Sequence, residues 1–322
     1  MPPARTLRAF APSQREAAHR LLAAKVASMM GRKLEERDWC EVYCRAKEIP
    51  SQRWSNLYPD VMHNGLGVEH KMLCYRSNEN IAKACGETLM HPAATRSIRP
   101  GNVPAVRAMR QVFEDYAKLI QDRTKKVLET APTRTKPDMR LGWLLWQESL
   151  RQFLYFEEPW KAPNPDKFTA KWVESGGGAR KGSRNLWIYE KATGKKRFSV
   201  TTAAGAKIQP YFDVPPPSDP NLYIFTVIGE VIIEGTIRCW ITPTTRHDLE
   251  QLLGAVNSET VTKAIQDNVV ALPRAEAGPI VQEPAEPLDI PAETYKLLRS
   301  RLPGVNDDHC FQLLIGVLRR KK

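Results

Sequence analysis

The stretch that most constrains this chain runs from Tyr58 to Leu73. It holds a Pro59-Asp60 pair, the glycine-punctuated turn Asn64-Gly65-Leu66-Gly67, and a largely apolar run that carries Glu69, His70 and Lys71. Bounded in this way, the run reads as a strand. Side chains two apart on a strand share a face. Glu69 and Lys71 therefore take one face, and Val68, His70 and Met72 the other. The turn lets Asp60 lie across from the Glu69 face. Two carboxylates and an ammonium at one point can hold a hard divalent cation and a water, the equipment for breaking a phosphodiester. On this reading Asp60 and Glu69 are metal carboxylates, and the backbone carbonyl of His70 is a further ligand. Lys71 orients the attacking water or neutralises the phosphate. His70 itself points away from Glu69 and is expected to be a packed side chain.

The bulk numbers suit a nucleic-acid partner. Forty-eight Lys and Arg against thirty-six Asp and Glu leave +12 over 322 residues, and such a field favours a polyanion. Hydrophobic residues make up 42% of the chain, enough for a large core. No apolar run approaches the roughly 20 residues of a membrane span. The first ten residues lack a secretory apolar core, so a cytoplasmic protein without a membrane partner is expected. The six cysteines are scattered and match neither a disulfide framework nor a zinc motif. No glycine-rich phosphate loop is present, so no nucleotide cofactor is expected.

Pro59-Asp60, eight intervening residues and then Glu69-His70-Lys71 resemble the PD-(D/E)XK motif of the restriction-endonuclease-like nucleases. The resemblance covers about fourteen residues. It implies an α/β (α+β) fold, with a mixed sheet flanked by helices and Val68–Tyr75 as its central strand. It also implies Mg²⁺ as cofactor, double-stranded DNA as substrate and, as in type II restriction enzymes, a homodimer. The family's opening helix often adds an acid. Glu36 or Glu41 is the candidate here, with Glu16 behind, and the sequence does not choose between them.

Along the chain, Ser13-Gln14-Arg15-Glu16 reads as a capping box opening a helix to about Met30. A second helix is expected over 34–48. Val106, Met109, Val112, Phe113, Tyr116, Ile120 and Val127 recur at helical steps and predict a long helix over 103–129. Its Arg107, Arg110, Lys118, Arg123, Lys125 and Lys126 read as a solvated face. Residues 142–147 and 152–156 read as two aromatic-rich strands, with one amphipathic helix as the competing pattern. These elements make residues 1–172 a nuclease core.

Residues 173–254 read as a β-rich basic module. Its strands are expected over Leu186–Tyr189, Phe198–Thr202, Leu222–Ile233 and Thr236–Thr242, with a short helix over Thr244–Leu253. Arg180, Lys181, Arg184, Lys195, Lys196 and Arg197 interleave with Trp187, Tyr189 and Phe198, and are the expected DNA contacts. A modification-dependent variant of the same activity would need Trp187, Tyr189, Tyr211 or Phe212 exposed to hold a flipped base. A short helix and a Pro/Ala/Glu-rich linker are expected over 255–291, then a helical tail over 292–322. Two other classes stay open: a non-catalytic DNA-binding regulator, and an RNA-binding or RNA-processing protein.

Overall fold

The structure is a computed structural model and describes residues 6–27, 33–50, 58–75, 80–92, 98, 100–101, 103–175, 183–201, 207–272 and 284–321. It is a mixed α+β protein with three sheets. The first contains β1 (Val61–His63), β2 (Leu66–Tyr75), β4 (Asp138–Gln147), β5 (Gln152–Pro159) and β10 (Tyr223–Thr226), in that order. β1 and β2 form a hairpin around Asn64-Gly65, whose φ values of 46° and 85° are both positive. That is the two-residue turn whose twist matches paired strands, and Asn-Gly is its preferred sequence. β2 then pairs in parallel with β4 over ten residues, from Leu66↔Asp138 to Tyr75↔Gln147. The long helix α3 (Ala105–Glu129) lies between them in the chain.

Helices α1 (Pro12–Ala27) and α2 (Glu36–Ala46) cover one face of this sheet. Leu22, Trp39 and Tyr43 pack there against Val68, Leu144, Phe153, Tyr155 and Phe225. α2 buries one stripe that includes Trp39, Val42, Tyr43 and Ala46, whereas α1 is enclosed on most sides through Ala18, Leu21, Leu22, Ala23, Ala24 and Val26. α1 does not use the expected cap. It begins at Pro12, and Gln14 Oε1 accepts the Ala11 N–H at 2.9 Å, so the start lies before Ser13. The capping box belongs to α2 instead, where Glu35 and Asp38 exchange side-chain and backbone bonds.

The second sheet runs β3 (Thr88–Met90), β9 (Lys207–Asp213), β8 (Lys196–Thr201), β7 (Ser183–Glu190), β6 (Phe168–Ser175). Leu186, Ile188, Val200 and Ile208 on its inner face pack against Met109, Val112 and Phe113 of α3. α3 therefore lies between the two sheets and touches β2 on one side and β6 and β7 on the other. The sheets also meet directly, through Trp143 of β4 stacked on Phe212 of β9 at 3.9 Å between centroids.

The third sheet joins β11 (Glu230–Ile233), β12 (Thr236–Ile241) and β13 (Glu286–Pro291). Helices α4 (Pro243–Leu253), α5 (Ser258–Asn268), α6 (Ala292–Arg301) and α7 (Asp307–Lys321) surround it. Its separate core includes Ile241, Leu249, Ile265, Ile290, Phe311 and Leu314.

Two expectations change at this level, and one choice between strands and a helix is resolved in favour of the strands. Leu222–Ile233 is not one strand: β10 pairs with β5 of the first sheet, while β11 pairs with β12. Glu286–Pro291 is a strand rather than the end of a linker. Residues 142–147 and 152–156 are strands, because alternate residues face opposite layers and both layers are apolar.

Candidate active site

The hairpin sets the geometry. Val61 pairs with Val68, and one further step along the register places Asp60 opposite Glu69. The ladder ends there, which leaves the His70 N–H without a strand partner on that edge. Asp60 Oδ2 accepts it at 2.7 Å. Within a strand the N–H and C=O of one residue leave by the same edge. The His70 carbonyl therefore lies on the edge where Asp60 sits.

Glu69 and Lys71 share the face of β2 turned toward α3, and both are largely buried. Lys71 Nζ donates to Glu69 Oε1 at 2.7 Å. The other carboxylate oxygen, Oε2, meets Nη1 of Arg123 on α3. Arg123 lies over the Trp160 ring at 5.3 Å, and Trp160 in turn donates to Tyr116 Oη at 2.9 Å. Sequence reasoning had placed Arg123 on a solvated face. Its position gives it away: Tyr116, Ile120, Arg123 and Val127 continue one buried stripe at steps of four, three and four. A cation at a core position of such a stripe needs a buried anion.

Glu36, at the start of α2, completes the cluster through a side-chain hydrogen bond with Asp60. Glu41 does not join it; Glu41 pairs with Lys25 at 2.6 Å. Glu16 pairs with Arg20. The third acid of the cluster is thus Glu36.

The electrostatics separate the acids. Burial, then the charges of Glu69 and Glu36, push Asp60 up to about 8. Burial also raises Glu36, against the pull of Lys71. Burial works on Glu69 in the same direction, but Lys71 and Arg123 outweigh it and hold this carboxylate below its usual range. Lys71 is raised despite its burial, because Glu69, Glu36 and Asp60 all favour the ammonium. The cluster therefore sets an ion-paired Glu69–Lys71–Arg123 group beside two carboxyls, Asp60 and Glu36, that hold their protons more tightly than usual.

His70 occupies the opposite face. Its ring packs among Trp39, Tyr43 and Tyr155. Burial drives its pKa down to about 3, so it is a neutral core residue. Gly142 makes room for it: a Cβ there would lie 2.7 Å from His70 Nδ1 and 2.4 Å from Tyr155 Oη.

Compared with family models, curated proteins and solved structures, the chain finds no match.

Among the described residues, no group of three or more His, Cys, Asp and Glu side chains is placed so that it could hold a metal ion. The donor chemistry nevertheless fits a hard cation. Asp60, Glu36 and the His70 carbonyl are all oxygen donors at one edge, and Mg²⁺ is ordinarily held by one or two carboxylates rather than by a closed cage.

The expected DNA contacts divide. Arg180 and Lys181 lie outside the described residues. Arg184 stacks over Trp172 at 4.3 Å. Arg197 bridges Glu190 and Asp213, and Lys195 also pairs with Asp213. Lys196 lies over Trp187 at 4.0 Å and Tyr211 at 4.7 Å. Of the aromatics that a base cage would use, Phe212 is buried against Trp143. Trp187, Tyr189 and Tyr211 are half-buried.

Proposed function

We propose that this chain hydrolyses phosphodiester bonds of double-stranded DNA with the help of a divalent cation. The observation behind the reading is the convergence of Asp60, Glu69, Lys71 and Glu36, residues from three separate segments, at one edge of the first sheet. A net charge of +12 supports a polyanionic substrate.

In this reading Asp60, the His70 carbonyl and Glu69 would hold Mg²⁺, with Glu36 behind Asp60. The cation would supply a water made nucleophilic near neutral pH and stabilise charge on the phosphoryl oxygens. Lys71 keeps its proton and places an ammonium beside Glu69, where it can orient that water or meet a phosphate oxygen. Arg123 fixes the Glu69 rotamer from behind. Asp60 and Glu36 would serve the cation as carboxylates. Sequence-specific cutting by a homodimer in the cytoplasm, after the manner of type II restriction enzymes, belongs to the same reading.

A second reading has its own support. Both oxygens of Glu69 are already paired with cations, as in a buried structural ion-pair network. The chain would then bind DNA without cutting it. Incubation with supercoiled plasmid separates the two. Cleavage that needs Mg²⁺, stops in EDTA and is lost in Lys71→Ala supports the nuclease. Retarded but intact DNA under all these conditions supports the binding protein.

A further inference from the structure

We propose that the outer face of the second sheet binds single-stranded DNA by stacking unpaired bases on Trp187, Tyr189 and Tyr211. The inference deepens the nucleic-acid reading above and rests on it.

The sheet is asymmetric. Leu186 and Ile188 of β7 point inward to α3 and are fully buried, so Trp187 and Tyr189 point outward. On β9, Ile208 and Phe212 point inward and Tyr211 outward. The outward rings are half-buried, on a face where polar side chains are the rule. Ser199 and Gln209 bond to one another between them. Trp187 and Tyr189 stand two residues apart on one strand, about 7 Å, and Tyr211 is two strands away from Trp187, roughly 10 Å. Three half-buried rings thus stand on one face of the sheet over a short span, with Lys171 and Lys196 lying over them.

The cations on this face are of two kinds. Lys195 and Arg197 are committed to Asp213 and Glu190. Lys171 and Lys196 are not: among the described residues neither makes an ion pair with a carboxylate. Lys171 Nζ lies 5.2 Å from the Tyr189 ring centre and 6.0 Å from that of Trp187. Lys196 Nζ lies 4.0 Å and 4.7 Å from those of Trp187 and Tyr211. An exposed cation–π contact is weak and is readily exchanged. A strand laid on this face would put bases on the rings while the two ammoniums move to its phosphates. Stacked rings with flanking lysines are the recognition chemistry of unpaired nucleic acid. A duplex keeps its base faces covered and offers the rings nothing.

The sheet and the candidate site share α3. The helix packs Met109 and Phe113 on the inner face of the sheet, and further along it presents Arg123 to Glu69. An unpaired strand held on the outer face would therefore be fixed relative to the carboxylates.

The test is fluorescence anisotropy of the full chain with fluorescein-labelled oligothymidylate in EDTA, so that no cutting intervenes. A duplex and oligouridylate of equal length serve as comparisons. Oligothymidylate is expected to bind more tightly than the other two. Trp187→Ala and Tyr211→Ala should each weaken binding about tenfold, while Trp187→Phe retains most of it. Lys171→Gln and Lys196→Gln should each flatten the dependence of log K on log salt by about 0.7. Unfolding curves identify any variant that has lost its fold, and the salt slopes of Lys171→Gln and Lys196→Gln then decide, unchanged slopes overturning the proposal. Tighter binding of the duplex or of oligouridylate overturns the proposal, as does equal binding by folded Trp187→Ala. Plasmid cutting without oligothymidylate binding would sink this inference and leave the nuclease reading intact. Binding without cutting would do the reverse.

Discussion

Asp60 Oδ2 accepts the backbone N–H of His70 at 2.7 Å, and through this bond the hairpin brings a carboxylate to the Glu69–Lys71 strand. Asp60→Asn retains a carbonyl oxygen able to accept that bond but removes the charge. We expect it to fold and to lose plasmid cleavage by about 100-fold or more, the range for loss of a group that stabilises transition-state charge. Cleavage by Asp60→Asn within a few-fold of the wild type would remove Asp60 from the site. Asp60→Ala additionally leaves the His70 N–H unpaired, and it should melt at a lower temperature than Asp60→Asn.

Glu36 and Glu41 lie on the same helix but have different partners. Glu36→Gln should reduce cleavage about 10- to 100-fold, the usual effect of losing a group that supports a metal ligand. Glu41→Gln breaks only the partly exposed pair with Lys25. It should change stability by less than about 1 kcal/mol and leave cleavage unaltered. Rates for the two variants under the same Mg²⁺ concentration check the assignment, and equal loss in both would contradict it.

Arg123→Met removes one of two cations from a buried carboxylate. Glu69 keeps Lys71, so the cost should fall at the lower end of that for breaking a buried pair, about 3 kcal/mol by urea unfolding. In the double variant with Glu69→Gln the loss of Arg123 should cost less than it does alone, because the carboxylate it would leave undercompensated is gone, although Lys71 then lacks its own partner. Additive losses in the cycle would mean that Arg123 acts on stability by another route.

Much of this was legible beforehand. Asn64-Gly65 specified its turn, the period-two pattern put Glu69 and Lys71 on one face, and the three-and-four-residue stripe specified α3. What was hidden was long-range. Arg123 looked like one more cation on a charged helix, because its partner lies 54 residues away in sequence. The choice of Glu36 over Glu41 depended on how α2 is rotated over the sheet, which helical periodicity alone leaves open among neighbouring polar positions. Leu222–Ile233 looked continuous because both halves favour strands. The break at Val227–Gly229 comes from two different partner strands competing for them. The basic module showed its charge in the sequence but not which cations were already paired with Glu190 and Asp213.

Three histidines, His70 and His91 buried and His19 half-buried, set an acid limit on stability. Burial lowers His19 to about 4, His91 to about 4 and His70 to about 3. Each binds its proton more tightly in the unfolded chain, where the value is near 6.5. Their contribution is therefore complete above that pH and is lost as pH falls through 6.5 toward 3 to 4. Each should add on the order of 1 kcal/mol per pH unit to the slope in that window. Urea midpoints measured across it should fall steeply for the wild type and less so for His19→Gln and His91→Gln. Slopes unchanged in both variants would assign the acid sensitivity elsewhere.

Gly142 tests the packing beneath the site. A Cβ there would come within 2.4 Å of Tyr155 Oη and 2.7 Å of His70 Nδ1, and both rings are fully enclosed. Gly142→Ala should therefore cost about 1–3 kcal/mol, the range for forcing an extra methyl into a filled core. Tyr155→Phe deletes the nearer atom. It also removes a donor from buried Glu157, which retains its 2.8 Å pair with Arg140. The double variant Gly142→Ala/Tyr155→Phe should thus be more stable than the sum of the two single losses predicts. Strict additivity would show that the methyl is blocked by the His70 ring, and His70→Ala would then be the substitution that relieves it.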